Sequence, residues 1–255
     1  MKRCGLLGEK LGNSYSHAIH AQLGDYAYRL YECPREKLGD FLKTGDFDGL
    51  NVTIPYKKAV IPYCAELSPM AAAIGSVNTL LRRPDGTLYG DNTDAFGFES
   101  LLRHAGLDPK GKKCLVLGSG GASVTVQAVL RHLGAGSVTV ISRSGEDNYH
   151  NLARHQDAEL IVNATPVGMY PGNGLAAVDL TAFPSCQGVA DLIYNPARTA
   201  LLLQAERLGI PSAGGLWMLV AQAQRAAELF TGTDIPESVI PKITASLRRE
   251  MENVV

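Results

Sequence analysis

Short apolar runs alternate along the chain with segments whose apolar residues recur at helical spacing. Arg3 to Leu7 reads as a strand closing on Gly8. After Asn13-Ser14-Tyr15-Ser16-His17, residues Ala18, Ile19, Ala21 and Leu23 mark a helix face. Tyr26 to Glu32 alternates as a strand, and Pro34 opens a helix with Leu38, Phe41 and Leu42 on one side. Gly49 to Ile54 is a strand that must end at Pro55 or sit at an edge, because proline has no N–H to give a sheet. A helix is expected from Lys57 to Cys64. Ser68-Pro69 caps a short helix through Ile74. Ser76 to Leu81 and Thr87 to Tyr89 form a hairpin about Pro84-Asp85-Gly86, and Ala95 to Ala105 is helical. Strands alternating with helices predict an α/β domain with a largely parallel sheet and one antiparallel excursion.

The pattern restarts after the polar stretch Gly106 to Lys113, which has the composition of a domain boundary. Cys114 to Leu117 is a buried-strand pattern running into Gly118-Ser119-Gly120-Gly121-Ala122-Ser123. Val126, Val129, Leu130 and Leu133 then mark a helix, and Ser137 to Ile141 the next strand. Further strands are predicted at Leu160 to Val162, Gly188 to Ile193 and Ile210 to Ala213, with a helix over Ala200 to Leu208. Only a short turn or helix fits between Ile141 and Leu160. Leu216 to Phe230 is a long apolar helix carrying Gln222 and Gln224. Pro236 and Pro241 should break the chain before a last amphipathic helix.

Polar residues gather where these strands end. Asn51, Thr53 and Lys57 follow one strand, Asn78 stands in another, and Asp91 and Asp94 close the hairpin. In open α/β sheets ligands sit outside the carboxyl ends of strands. Each residue also has an ordinary structural reading: a solvated lysine, a turn aspartate, an N-cap at Asp94. Ser14 and Ser16 flank a helix start, where one hydroxyl caps the helix and two can hold a carboxylate. Strand, glycine loop, helix and strand form the context of a dinucleotide site, in which glycines admit the pyrophosphate to the backbone. Ser123 stands where that pattern has Gly or Ala, and a methyl-donor site on a similar sheet fits the same stretch. Arg143, just after the following strand, suits a 2′-phosphate and hence NADP. Glu146 and Asp147 lie close behind it and would repel that phosphate.

Composition narrows the classes. The chain is 45% apolar with a net charge of −1, and its basic residues are dispersed, so no nucleic-acid or membrane-surface partner is expected. No apolar run reaches the length of a membrane span. The five cysteines form no Cys-x-x-Cys pair, so neither a disulfide framework nor a metal site is expected, and the cytoplasm is the expected compartment.

Seven stretches taken together resemble the shikimate dehydrogenase family. They are Ser14-Tyr-Ser16, Asn51-Val-Thr-Ile-Pro-Tyr-Lys57, Val77-Asn78-Thr79, Gly90-Asp-Asn-Thr-Asp94, Gly118-Ser-Gly-Gly-Ala122, Asn163-Ala-Thr-Pro-Val-Gly-Met169 and Met218-Leu-Val-Ala-Gln222. The resemblance implies two α/β domains around a cleft. Residues 1–95 would form the substrate and catalytic domain, 96–215 a Rossmann-type NADP domain, and 216–255 helices returning to the first domain. It implies that Ser14 and Ser16 bind the substrate carboxylate, and that Thr53, Asn78, Asp94 and Gln222 bind ring hydroxyls. Lys57 and Asp94 would be the catalytic pair, and Tyr194 would line the substrate side. Gly118, Ser119, Gly120, Gly121, Ala122 and Ser123 would hold the pyrophosphate, Arg143 the 2′-phosphate, and Met169 and Gly215 the nicotinamide side.

Two departures stand out. The second basic residue that the family often carries after the arginine is Asp147 here, and a helix expected beyond it is missing. Trp217 replaces a small residue. The implied reaction is reversible, NADPH-dependent reduction of 3-dehydroshikimate to shikimate, with Lys57 giving a proton to the 3-keto oxygen. The rival reading, a quinate or dual quinate/shikimate dehydrogenase using NAD, shares nearly all these residues. A non-catalytic sensor is the rival of another class, and retention of Lys57 with Asp94 argues against it. The partner expected is a small-molecule substrate; a homodimer is left open.

Overall fold

The structure is a computed structural model that describes residues 1–12 and 14–252. Asn13, in the first polar stretch, lies outside the described residues. The chain divides into two compact units. The first comprises Met1–Phe96 and Val220–Leu247, the second Gly97–Leu219 and Arg248–Val255.

The first unit opens with β1 (Arg3–Gly8), the short helix α1 (Ser16–His20), β2 (Ala27–Glu32), α2 (Leu38–Thr44) and β3 (Gly49–Val52). Then come β4 (Cys64–Leu67), α3 (Pro69–Ile74), β5 (Thr79–Arg82), β6 (Leu88–Asp91) and the start of α4 (Thr93–His104). The six strands lie in the order β2-β1-β3-β5-β6-β4. β1 runs parallel to β2 and β3, the β5–β6 hairpin runs antiparallel to β3, and β4 is parallel to β6. The predicted mixed sheet therefore forms. Its register sets Asn51 beside Thr79 and Thr79 beside Asp91, one polar row across three strands. Leu7, Leu38, Leu42, Phe47, Leu50, Val52, Tyr56, Val60, Val77 and Leu80 pack as one core beside this row.

Two local expectations are corrected. The stretch after Lys57 is a series of turns and a single 3-10 turn at Ile61–Tyr63, not a helix to Cys64. A helix through this stretch would need the N–H that Pro62 lacks, and Cys64 to Leu67 instead become the edge strand β4. Pro241 does not precede the last helix but lies in its first turn, where a missing N–H costs nothing.

The second unit holds β7 (Lys113–Leu117), α5 (Gly121–His132), β8 (Ser137–Ile141), β9 (Leu160–Asn163), β10 (Gly188–Asp191), α6 (Ala200–Leu208) and β11 (Ser212–Gly214). All five strands are parallel, in the order β11-β10-β9-β7-β8. Its central strands, buried on both faces, are nearly continuous apolar runs, as an all-parallel sheet requires. The carboxyl ends of all five share one edge of the sheet. The polar stretch 106–113 lies within this unit, with the Gly111 N–H bonded to the Gly134 carbonyl. The chain continues into α7 (Leu216–Thr231) and α8 (Val239–Glu252). Among the described residues no helix is long and apolar enough to cross a membrane.

Candidate active site

In the first unit, parallel β1, β3 and β6 and antiparallel β5 bring Ser14, Thr53, Lys57, Asn78 and Asp94 to the same sheet edge. The turn after β3 is fixed at both ends. The Tyr56 N–H bonds the Thr53 carbonyl at 2.9 Å, and the Tyr56 ring is buried with its hydroxyl on the Cys33 carbonyl. The Val77 N–H bonds the Lys57 carbonyl at 2.8 Å, locking Lys57 next to the lead into β5, where Asn78 stands. Asn92, not Asp94, caps α4: its Oδ1 accepts from the Ala95 N–H at 3.2 Å. Asp94 thus falls in the first helical turn, where the dipole favours a carboxylate. There it accepts from Lys57 Nζ at 2.6 Å, with the side chains 33% and 21% exposed. The pair is sheltered yet reachable, the placement that proton transfer to a small ligand demands.

Asn78 is buried and its Oδ1 is fully used. It accepts from the Thr93 N–H at 2.7 Å, the Thr79 hydroxyl at 3.1 Å and the Thr93 hydroxyl at 3.2 Å. Among the described residues its Nδ2 has no protein acceptor, so the amide presents a donor oriented by its own oxygen. Thr93 also lies 3.4 Å from Gln222 Oε1 on α7. Ser14 and Ser16 form a pair: the Ser14 hydroxyl donates to Ser16 Oγ at 3.1 Å and accepts from the Ser16 N–H at 3.2 Å. Behind them the Tyr28 hydroxyl donates to Asn51 Oδ1 at 2.8 Å, and Asn51 Nδ2 reaches Thr79 Oγ1 at 3.4 Å. His20 stacks on Tyr28 with ring centroids 4.0 Å apart and bonds the Tyr26 hydroxyl at 2.6 Å. Burial pushes the His20 imidazole down to about 3 and the Tyr28 phenol well above its ordinary value, so both are neutral at pH 7.

In the second unit β7 runs into Gly118, whose φ of +101° only glycine adopts readily. A Cβ there would stand 2.8 Å from Thr165 Cγ2 and 3.1 Å from the Ala164 carbonyl. Gly120 is the N-cap of α5 and offers no side-chain cap to the first turn. Among the described residues, apart from the adjoining chain, no atom lies within 4 Å of where a Cβ would stand on Gly120 or Gly121. The exposed N–H groups, the open space above them and the absence of an acid in the first turn fit a pyrophosphate. Ser119 and Ala122 are exposed along this rim. Ser123 faces inward instead: it is fully buried, its hydroxyl accepts from Gln127 Nε2 at 3.1 Å, and its N–H bonds the Gly120 carbonyl. Its side chain does the close helix–sheet packing that the third small residue of a dinucleotide loop serves.

Arg143 is exposed just beyond β8. The shortened segment after it is a tight loop. The Ser142 N–H bonds the Asp147 carbonyl at 3.2 Å, and Asn148 and Asn151 bond the Gly145 and Glu146 carbonyls at 3.1 and 2.8 Å. Met169 is exposed in the turn after β9, and Tyr194 is half-buried after β10. Gly215 has no room for a side chain, since a Cβ would lie 2.0 Å from the Leu192 carbonyl. Trp217 packs on α4, stacked on His104 at 3.4 Å with its Nε1–H donating to Ser100 Oγ at 2.9 Å.

Sequence reasoning missed the residues behind the site. Asp191 is fully buried, accepting from Asn163 Nδ2 at 3.0 Å, the Ile193 N–H at 3.1 Å and the Thr199 hydroxyl at 2.6 Å. It ties the loop ends of β9 and β10 together, and burial holds its carboxyl above the usual carboxylate range. An acid closing an apolar strand was its only sequence signal. Tyr28, Thr79 and Thr93 gave none beyond the motifs that contain two of them. Among the described residues no cluster of His, Cys, Asp and Glu could hold a metal ion.

Comparison with known proteins yields a consistent set. Residues 6–80 match the family model of the shikimate dehydrogenase substrate binding domain, and residues 215–240 that of the shikimate 5′-dehydrogenase C-terminal domain. The shikimate dehydrogenase (NADP(+)) of Clostridium perfringens (strain SM101 / Type A) is 34% identical over 269 residues, covering 97% of this chain and 99% of that protein. The crystal structure of a chorismate mutase/shikimate 5-dehydrogenase fusion protein from Clostridium acetobutylicum superposes with a TM-score of 0.91 at 36% identity, over 98% of both chains. The shikimate 5-dehydrogenase of Thermus thermophilus, solved with NADP(H) and shikimate, gives 0.85 at 32% identity, over 96% of this chain and 99% of that one.

Proposed function

We propose that this chain, which belongs to the shikimate dehydrogenase family, catalyses the reversible NADPH-dependent reduction of 3-dehydroshikimate to shikimate. The observation that carries the reading is the Lys57–Asp94 contact of 2.6 Å, set beside a buried amide with an unspent donor. NADPH, when bound, supplies the hydride. The protein has to hold the ketone and manage one proton.

Lys57, as ammonium, donates that proton to the carbonyl oxygen and takes it back in the reverse direction. Asp94 fixes the amine by its hydrogen bond and accepts from a ring hydroxyl with its other oxygen. Asn78 Nδ2, Thr53 and Gln222 bind the remaining hydroxyls, and Ser14 and Ser16 bind the carboxylate. In the second unit Gly118, Ser119, Gly120, Gly121, Ala122 and the turn at Ser123 form the pyrophosphate cradle. Arg143 pairs with the 2′-phosphate, Met169 and Gly215 bound the nicotinamide, and Tyr194 lines the substrate side. A binding-only protein would have no need of an amine held by a carboxylate.

The test is a steady-state matrix of shikimate and quinate against NADP+ and NAD+. The expected result is the highest kcat/KM for shikimate with NADP+. Absence of cofactor reduction with shikimate, or a higher kcat/KM for quinate, would sink the reading.

A further inference from the structure

Asp147 stands where an acid is least welcome to a 2′-phosphate. Its carbonyl accepts from the Ser142 N–H at 3.2 Å, so it folds directly back on the residue before Arg143. At the end of this strand a free carboxylate accepts from ribose hydroxyls and favours NAD, whereas an arginine favours NADP. The loop carries both. One oxygen of its carboxylate, however, is engaged: His155 Nε2 lies 2.8 Å from Asp147 Oδ1, with the side chains only 20% and 32% exposed. His155 also lines a small polar crevice with Thr139 and Ser137, residues in the middle and at the start of β8. The carboxylate is therefore held by an imidazole that itself sits beside β8 rather than left free to face a nucleotide. The asparagine bonds to the Gly145 and Glu146 carbonyls hold the intervening backbone in that shape.

We propose that His155 is a specificity-positioning residue: by engaging the Asp147 carboxylate it leaves Arg143 alone to meet the nucleotide, and so sets the preference for a 2′-phosphate. The inference rests on the NADP reading above. It explains how a chain that has an acid in place of a second basic residue keeps that preference. Between β8 and β9 the chain forms only a 3-10 turn, Leu152–His155, which brings His155, eight positions on, back to the loop.

Calorimetric titration of the full chain with 2′,5′-ADP and with 5′-AMP reads the effect without turnover, as the ratio of the two affinities. Wild type should favour 2′,5′-ADP. His155→Ala should lower that ratio about tenfold, which is about 1.4 kcal/mol, while shikimate binding is unchanged. His155→Gln, which keeps a donor, should restore most of it. Asp147→Asn should hold the ratio at or above wild type, and adding His155→Ala to it should change nothing further. A folded His155→Ala variant with the wild-type ratio would overturn the proposal, as would an equal loss in the Asp147→Asn background. Should His155→Ala fail to fold, His155→Gln and Asp147→Asn alone decide: an Asp147→Asn ratio below wild type overturns the idea. If wild type binds both nucleotides alike, the NADP reading falls and this inference with it.

Discussion

The two units solve the same problem, an open sheet edge facing a small polar ligand, with different material. In the first unit the edge is built from side chains that hold one another. Asn78 is oriented by Thr79 and Thr93, Asp94 by Lys57, and Ser16 by Ser14. In the second unit it is built mostly from backbone: a left-handed glycine, an uncapped helix start and a glycine pressed on a carbonyl. Side chains select by chemistry, whereas bare backbone selects by space. Damage should therefore surface as lost turnover in one unit and as lost room in the other.

The strongest blow to this contrast is Lys57→Ala, expected to lower kcat by about 10²–10⁴-fold, the usual worth of a general acid–base residue. Near-normal kcat with 3-dehydroshikimate and NADPH would remove Lys57 from proton transfer. Two alanines sharpen the backbone side. Gly118→Ala must tolerate a positive φ and a contact of 2.8 Å, and should cost about 1–3 kcal/mol in denaturant unfolding. Gly120→Ala meets no protein atom, so the fold should keep its stability within about 0.5 kcal/mol while KM for NADPH rises. Equal stability losses for the two would erase the distinction between strain and ligand space.

The aromatic backing of the first unit gives a pH test. His20 in the fold takes a proton only near pH 3, against about 6.5 when unfolded. Below 6.5 the unfolded chain gains a proton that the fold refuses, so stability falls as pH falls, by up to about 1.4 kcal/mol per unit until pH 3. Unfolding midpoints from pH 7 to pH 5 should drop, and His20→Gln should flatten that slope; an unchanged slope would show that His20 is not the group. Tyr28→Phe removes one buried donor from Asn51 and should cost about 1 kcal/mol. It should raise KM for shikimate and leave KM for NADPH alone, since its partners all belong to the substrate edge.

The same contrast explains what could be read from the sequence. Strands and helices followed from apolar periodicity, and the glycine loop from its place between a strand and a helix. The fold class and the Lys57–Asp94 pairing were legible because motif and topology point the same way. The edge strand β4 was not, because Cys64 to Leu67 is short and carries no β-branched or aromatic residue to signal a strand; only its pairing with β6 makes it one. Asp191 and Tyr28 were invisible for a related reason. Their partners Asn163 and Asn51 lie 28 and 23 positions away, and burial, which no single residue announces, is what obliges them to bond. Ser123 looked like a flaw in a phosphate loop until its side chain proved to point inward.

The first unit is assembled from two separated pieces of chain, and this governs the order of its birth. The Phe230 ring closes over Gly49, where even a Cβ would lie 2.3 Å away, and over His20 and Tyr26. On a ribosome adding about 5–20 residues per second, the N-terminal sheet waits on the order of ten seconds for that lid. The second unit, contiguous from Gly97 to Leu219 apart from its terminal tail, is translated within that wait. The unit that opens the chain is thus begun first, yet it is finished only after the body of the second unit has been made.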